Sequence, residues 1–127
     1  MAAPGVLVVL AVAFRRLRFG RVVVEGHSMS PALEPGDRLL VWRRRRYRGG
    51  QVVAVRDPRR PSLVMVKRVA AVGVGGNLEL RGDNPGSSTD SRTFGPVDRA
   101  LVLGQAIWRY GPPGRAGAVP GGDPGRR

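Results

Sequence analysis

The chain is cut into short β-branched runs, and this punctuation constrains its fold more than any other feature. Between Arg21 and Tyr110, stretches rich in Val and Leu recur at strand spacing, each bounded by Gly, Pro, Asp or Asn. The pattern predicts strands over Arg21–Glu25, Arg38–Trp42, Gln51–Arg56, Leu63–Val72, Asn77–Arg81 and Leu101–Arg109. Asp57-Pro58-Arg59-Arg60-Pro61 links two of them, and Gly75-Gly76-Asn77 reads as a hairpin turn. No segment sustains a 3.6-residue period, which argues against a helical domain. The expected class is mostly β, and 127 residues suffice for one modest core.

Composition removes several kinds of chemistry. Without cysteine the chain has neither disulfides nor thiolate metal sites, and its single histidine, His27, cannot build a multi-histidine metal site. No metal or cofactor is expected. The net charge of +13 favours acidic partners, nucleic acid or anionic lipid. The excess is nearly all arginine beside abundant Gly, Ala, Val and Pro, a bias that GC-rich coding also produces. Its two Trp, two Tyr and three Phe are scattered and offer no stacking platform, so a basic β-domain for nucleic acid or anionic lipid is the lesser alternative. The charged loop Arg43-Arg44-Arg45-Arg46-Tyr47-Arg48 reads as a solvated face, or as a contact for an acidic substrate or lipid headgroups.

Both ends differ from the middle. Residues 1–20 hold an apolar run of about 13 residues, short of the ~20 that span a bilayer, followed by Arg15, Arg16 and Arg18. The order of charge and apolar run is wrong for a cleavable signal peptide. This segment is either a partial membrane anchor or an element packed on the domain. Arginines after such an anchor favour a cytoplasmic or peripherally membrane-associated domain. Residues 21–110 form the expected domain, and 111–127, rich in Gly, Pro, Arg and Ala, read as a disordered tail.

Ser28 lies in Val22-Val-Val-Glu-Gly-His-Ser-Met-Ser-Pro-Ala-Leu33, where a β-branched run stops at Gly26. Pro31 disfavours helix at Ser30, and Pro35-Gly36-Asp37 adds a second turn before the next strand. The serine is either an ordinary strand-end residue or a presented nucleophile. A nucleophile needs a base. His27 is poorly placed, because neighbours on an extended chain point to opposite faces, and no other histidine exists for a Ser-His-Asp triad.

Lys67 is the better base. At period two it shares a face with Leu63, Met65, Val69 and Ala71, while Arg68 points to the opposite face, where it can remain solvated. Apolar neighbours disfavour the ammonium, and a neutral amine can accept a serine proton. The plain alternative is an edge lysine reaching out to water. A long polar loop, Arg81-Gly-Asp-Asn-Pro-Gly-Ser-Ser-Thr-Asp-Ser-Arg-Thr-Phe-Gly-Pro96, adds paired charges (Asp83 and Asp90 with Arg92) and hydroxyls able to hold a buried amine.

Three blocks in order, Gly26-His-Ser-Met-Ser-Pro-Ala-Leu33 with Gly36-Asp37, Val66-Lys-Arg-Val69, and Gly82-Asp-Asn-Pro-Gly-Ser-Ser-Thr-Asp-Ser-Arg92, resemble the type I signal peptidases, serine-lysine membrane proteases. The resemblance implies a signal-peptidase/LexA-like antiparallel β-sheet core. It also implies that Ser28 is the nucleophile of an endopeptidase and Lys67 its general base. Ser88 would orient the amine, Asp90 and Arg92 would pair in support, and Asp83 and Asn84 would shape the loop. Met29 and Pro31 would shape the site beside the nucleophile. In some members a hydroxyl two residues before the serine helps bind the oxyanion; here that position is Gly26.

Gly82 follows Lys67 too closely to admit the second β-domain that larger members insert there. This brevity, with His27 before the serine, is most similar to the maturation proteases of nickel-type superoxide dismutases. The implied partner is a precursor protein with an N-terminal leader, such as a superoxide dismutase precursor, with general signal-peptide processing as the alternative. Weak membrane association is compatible with either.

Overall fold

The computed structural model describes residues 19–87 and 94–121. Seven strands follow in chain order: β1 Phe19–Val23, β2 Arg38–Trp42, β3 Val52–Asp57, β4 Arg60–Val72, β5 Leu78–Arg81, β6 Val102–Gly111 and β7 Gly117–Ala118. They form one antiparallel sheet ordered β1-β2-β6-β3-β4-β5, with β7 also on β6. The expected mostly β antiparallel core is therefore present.

The late strand β6 sits between β2 and β3. Its first half pairs with β3, Val53 facing Gln105, and its second half with β2, Leu40 facing Trp108. β3 is consequently interior on both edges and both faces. Val52 and Ala54 enter one apolar cluster with Met29, Leu33, Leu39 and Val66. Val53 and Val55 enter a second with Tyr47, Val69, Leu78 and Leu80. This two-sided burial explains why Val52-Val-Ala-Val55 is continuously apolar instead of alternating. Each fully buried leucine, Leu33 and Leu39 among them, contributes about 2 kcal/mol.

The turns obey local chemistry. Pro58 and Arg59 form the tip of the β3–β4 hairpin, closed by Asp57, whose carboxylate accepts the Arg59 N–H at 2.8 Å. Between β4 and β5 the chain turns through Val74–Gly76.

The segment after Tyr110 departs from expectation. Its described part is not a structureless tail: Pro113–Arg115 makes one 3-10 turn, Gly117–Ala118 pairs with β6, and Val119 is buried. A Gly/Pro/Arg segment builds no core of its own, but this one borrows its partners from the folded domain. The apolar run before Phe19 and residues 122–127 lie outside the described residues. Among the described residues no helix is long and apolar enough to cross a membrane.

Candidate active site

Ser28 is set by an excursion from β1 to β2 that closes on itself. Val24 donates to the Asp37 carbonyl at 2.8 Å, and Gly36 returns a bond to the Val24 carbonyl at 2.9 Å. Between these ties the chain turns through Ser28–Leu33. Leu33 N–H bonds to the Met29 carbonyl at 2.9 Å, and both side chains plug the first apolar cluster. The turn thus presents Ser28 half-buried above a fixed base, while His27 stays exposed. The peptide between Ser30 and Pro31 is cis, and the Ser30 hydroxyl donates to Glu34.

Lys67 arrives from β4, opposite Val53 of β3. It is only 4% exposed, a burial that an edge lysine reaching for water would not show. Its apolar surroundings follow the period-two reading only in part: Met65 and Val69 pack into the second cluster, but Leu63 and Ala71 are exposed. Ser28 and Lys67 line one cleft of about 310 Å³. Val23–His27 forms one wall and Leu63–Val66 the other, with Asp57 and Arg59 also on the lining. On the β4 wall, β5 pairs only from Arg68 onward, so Leu63–Val66 has β3 on one edge and no other strand among the described residues.

The third block joins the first two. Asn84 donates its backbone N–H to the Ser28 carbonyl at 2.8 Å and its side-chain amide to the His27 carbonyl at 3.1 Å. Its neighbour Asp83 takes two bonds from Arg68, each 2.8 Å. Arg68 is therefore only partly solvated and is tied to Asp83. The chain beyond β5 turns Asp83 back onto it, and the guanidinium also reaches the carbonyls of Gly50 and Pro120. The Asp83 hydrogen bond holds the Arg68 pKa above its ordinary value against the effect of burial. A path of bonds thus runs from Arg68, beside Lys67, through Asp83 and Asn84 to Ser28. Ser88, Asp90 and Arg92 lie outside the described residues.

Gly26 has φ +74°, and nothing lies within 4 Å of where a Cβ would stand. Glycine is used there for backbone conformation, not for space. Pro31 is exposed, whereas Met29 is 1% exposed beneath the Ser28 turn.

Behind the turn lies a buried carboxylate that sequence reasoning passed over. Asp37 accepts two bonds from Arg115 at 2.8 and 3.0 Å, one from Arg109 at 3.1 Å and one from the Glu34 N–H at 2.9 Å. Burial alone raises its pKa, but Arg115, the Glu34 N–H and Arg109 together outweigh it and hold the carboxyl below its ordinary value. The sequence signals were the Pro35-Gly36-Asp37 turn and the place of Asp37 in the first block, and neither announces Arg109 or Arg115 as its partners.

The signal peptidase, peptidase S26 family matches residues 1–77. The chain belongs to this family. It is 32% identical over 120 residues to mitochondrial inner membrane protease subunit 2 of Schizosaccharomyces pombe, covering 76% of this chain and 67% of that protein. The mitochondrial ATP-independent inner membrane protease subunit 1a of Arabidopsis thaliana is 35% identical over 122 residues, covering 76% and 73%. Mitochondrial inner membrane protease subunit 2 of Danio rerio is 34% identical over 117 residues, covering 72% and 64%. This S26 chain is accordingly a signal-peptidase-like protease.

Proposed function

We propose that this S26 protease is an endopeptidase that removes N-terminal leaders, with Ser28 as nucleophile and Lys67 as general base. The observation that carries the reading is the shared cleft: a half-buried serine on a fixed turn and a lysine 4% exposed line the same cavity. Burial works against an ammonium, and in this reading the neutral Lys67 amine takes the Ser28 proton as the oxygen attacks the scissile carbonyl. The same amine then returns the proton to the departing amine, and water hydrolyses the acyl-Ser28 ester. Because Gly26 carries no hydroxyl, the developing oxyanion falls to backbone N–H groups and water.

The two walls suit an extended substrate. A leader laid between Val23–His27 and Leu63–Val66 can bond to strand edges through its main chain, with alternate side chains entering the cleft. General signal-peptidase-like processing is the better supported substrate assignment, since the relatives are named as inner membrane proteases. Cleavage of a nickel-type superoxide dismutase leader remains the narrower version, resting on brevity and block spelling.

Peripheral membrane contact belongs to the same proposal. The outer face of β1, β2 and β6 gathers Phe19, Trp42, Trp108 and Tyr110 around Arg21. Aromatic rings beside cations suit a lipid–water interface.

Coexpression with leader-bearing precursors tests the activity. Ser28→Ala and Lys67→Ala should each abolish processing of a secreted-protein precursor; normal cleavage by either variant removes the dyad. A superoxide dismutase precursor run in parallel tests the narrower substrate.

A further inference from the structure

The segment Pro112–Gly121 is bonded to, or packed with, residues that neighbour both halves of the candidate dyad. Its first anchor is Arg115, whose Nε and Nη2 grip Asp37 at 2.8 and 3.0 Å. Asp37 shares that grip with Arg109, whose Nη1 also holds the Ala32 carbonyl at 3.0 Å inside the nucleophile turn. Arg109 in turn donates through Nε to the Arg115 carbonyl. The turn carrying Ser28 is thus held from behind by a two-arginine bracket.

The second anchor is Val119, 2% exposed and buried in the same cluster as Met29, Leu33 and Val66. Met29 directly follows Ser28, and Val66 directly precedes Lys67. The third is the Pro120 carbonyl, which accepts from Arg68 Nη1 at 3.0 Å while the rest of that guanidinium holds Asp83. Arg68 directly follows Lys67. One short segment therefore fastens the residues next to the nucleophile and the residues on both sides of the base.

We infer that Pro112–Gly121 is a strap that positions Ser28 against Lys67 for acyl transfer, with Arg115 as its chief positioning residue. The inference rests on the Ser28/Lys67 reading proposed above. A serine on the turn after β1 and a lysine on β4 must meet in a near-attack geometry, and a small misplacement costs rate out of proportion to stability. β1 and β4 are not neighbours in the sheet, so strand pairing alone leaves the Ser28 turn, an irregular segment, to set that distance. The strap adds a tie on each side of the gap.

The test uses the full chain and a quenched fluorescent peptide spanning the leader junction of a secreted precursor, assayed well below the melting temperature. Arg115→Gln should lower kcat about tenfold with KM unchanged. In Arg115→Gly, millimolar guanidinium ion should restore part of the lost kcat. Gly121→Ala gives an independent check at the other end: its Cβ would stand 2.5 Å from Arg68 Nη1 and from the Gly50 carbonyl oxygen, at a φ of +77°. It too should lower kcat without changing KM. Wild-type kcat in both Arg115→Gln and Gly121→Ala, whatever their melting temperatures, overturns the strap. Cleavage by Ser28→Ala in the same assay overturns the dyad instead.

Discussion

Asn84 donates its backbone N–H to the carbonyl of Ser28 at 2.8 Å, so the loop after β5 is bonded to the residue proposed as nucleophile. The same residue's side chain holds the His27 carbonyl at 3.1 Å. With the Arg68–Asp83 pair next to it, this contact makes the third block a clamp across the first two. Asn84→Ala keeps the backbone bond and loses the amide bond. It should cost about 1 kcal/mol of stability. It should also lower kcat, since the freed His27 peptide adjoins Ser28, the proposed nucleophile. Thermal melts and peptide-cleavage kinetics on the same preparation check both.

Much of this arrangement was legible in the sequence, and the parts that were not share a physical reason. Strand positions followed from local punctuation, so Arg38–Trp42 is matched residue for residue and the other five expected strands agree within a few. Ser28 on a turn and Lys67 on a strand are also local facts. The position of β6 between β2 and β3 is a long-range pairing, and no local pattern announces it. The partners of Arg68 escaped for the same reason: period two tells which face a side chain leaves from, not what loop folds over it. Arg115 and Val119 sit in a segment whose composition promises no core, and only the folded domain supplies Asp37 and the apolar cluster that order them.

Acid should destabilise the fold through two buried carboxylates. Asp57 is held below its ordinary pKa by the Arg59 hydrogen bond, against the opposing effect of burial. In Asp37, burial is outweighed by Arg115, the Glu34 N–H and Arg109. Both folded-state values lie below the unfolded ones, so their contribution is fully present above the unfolded pKa of about 4. It is lost as pH falls through the folded values, when the native carboxylates take up protons. Urea midpoints measured between pH 6 and pH 2.5 should therefore fall below about pH 4. Asp37→Asn should be less stable at pH 6 and show a shallower decline.

The outer aromatic face can be read directly, because both tryptophans of the chain, Trp42 and Trp108, lie on it. Phe19 packs edge-on against Trp42 with centroids 4.0 Å apart, and Arg21 lies over the Tyr110 ring at 5.9 Å. Vesicles of phosphatidylglycerol and phosphatidylcholine should shift the tryptophan emission to the blue, and brominated lipid should quench it. The effect should weaken with added salt, because arginines supply part of the attraction. Arg21→Glu should reduce it. Emission unchanged by the vesicles would place the face elsewhere than on lipid.

Gly26 carries the sharpest test of why the Ser28 turn has the sequence it has. At φ +74° it adopts a backbone conformation that L side chains rarely take, although the space around it is open. Gly26→Ala should therefore cost about 1 kcal/mol through backbone strain alone, with no clash to relieve. Gly26→Ser adds a hydroxyl two residues before Ser28 at the same cost in strain. Should relaxing that strain rotate the His27 peptide, the Asn84 bond to its carbonyl is disturbed as well. Gly26→Ser should then have a lower kcat than the parent despite its extra donor. A Gly26→Ser enzyme faster than the parent, at equal or lower melting temperature, would show that a side-chain donor outweighs the turn geometry at this position.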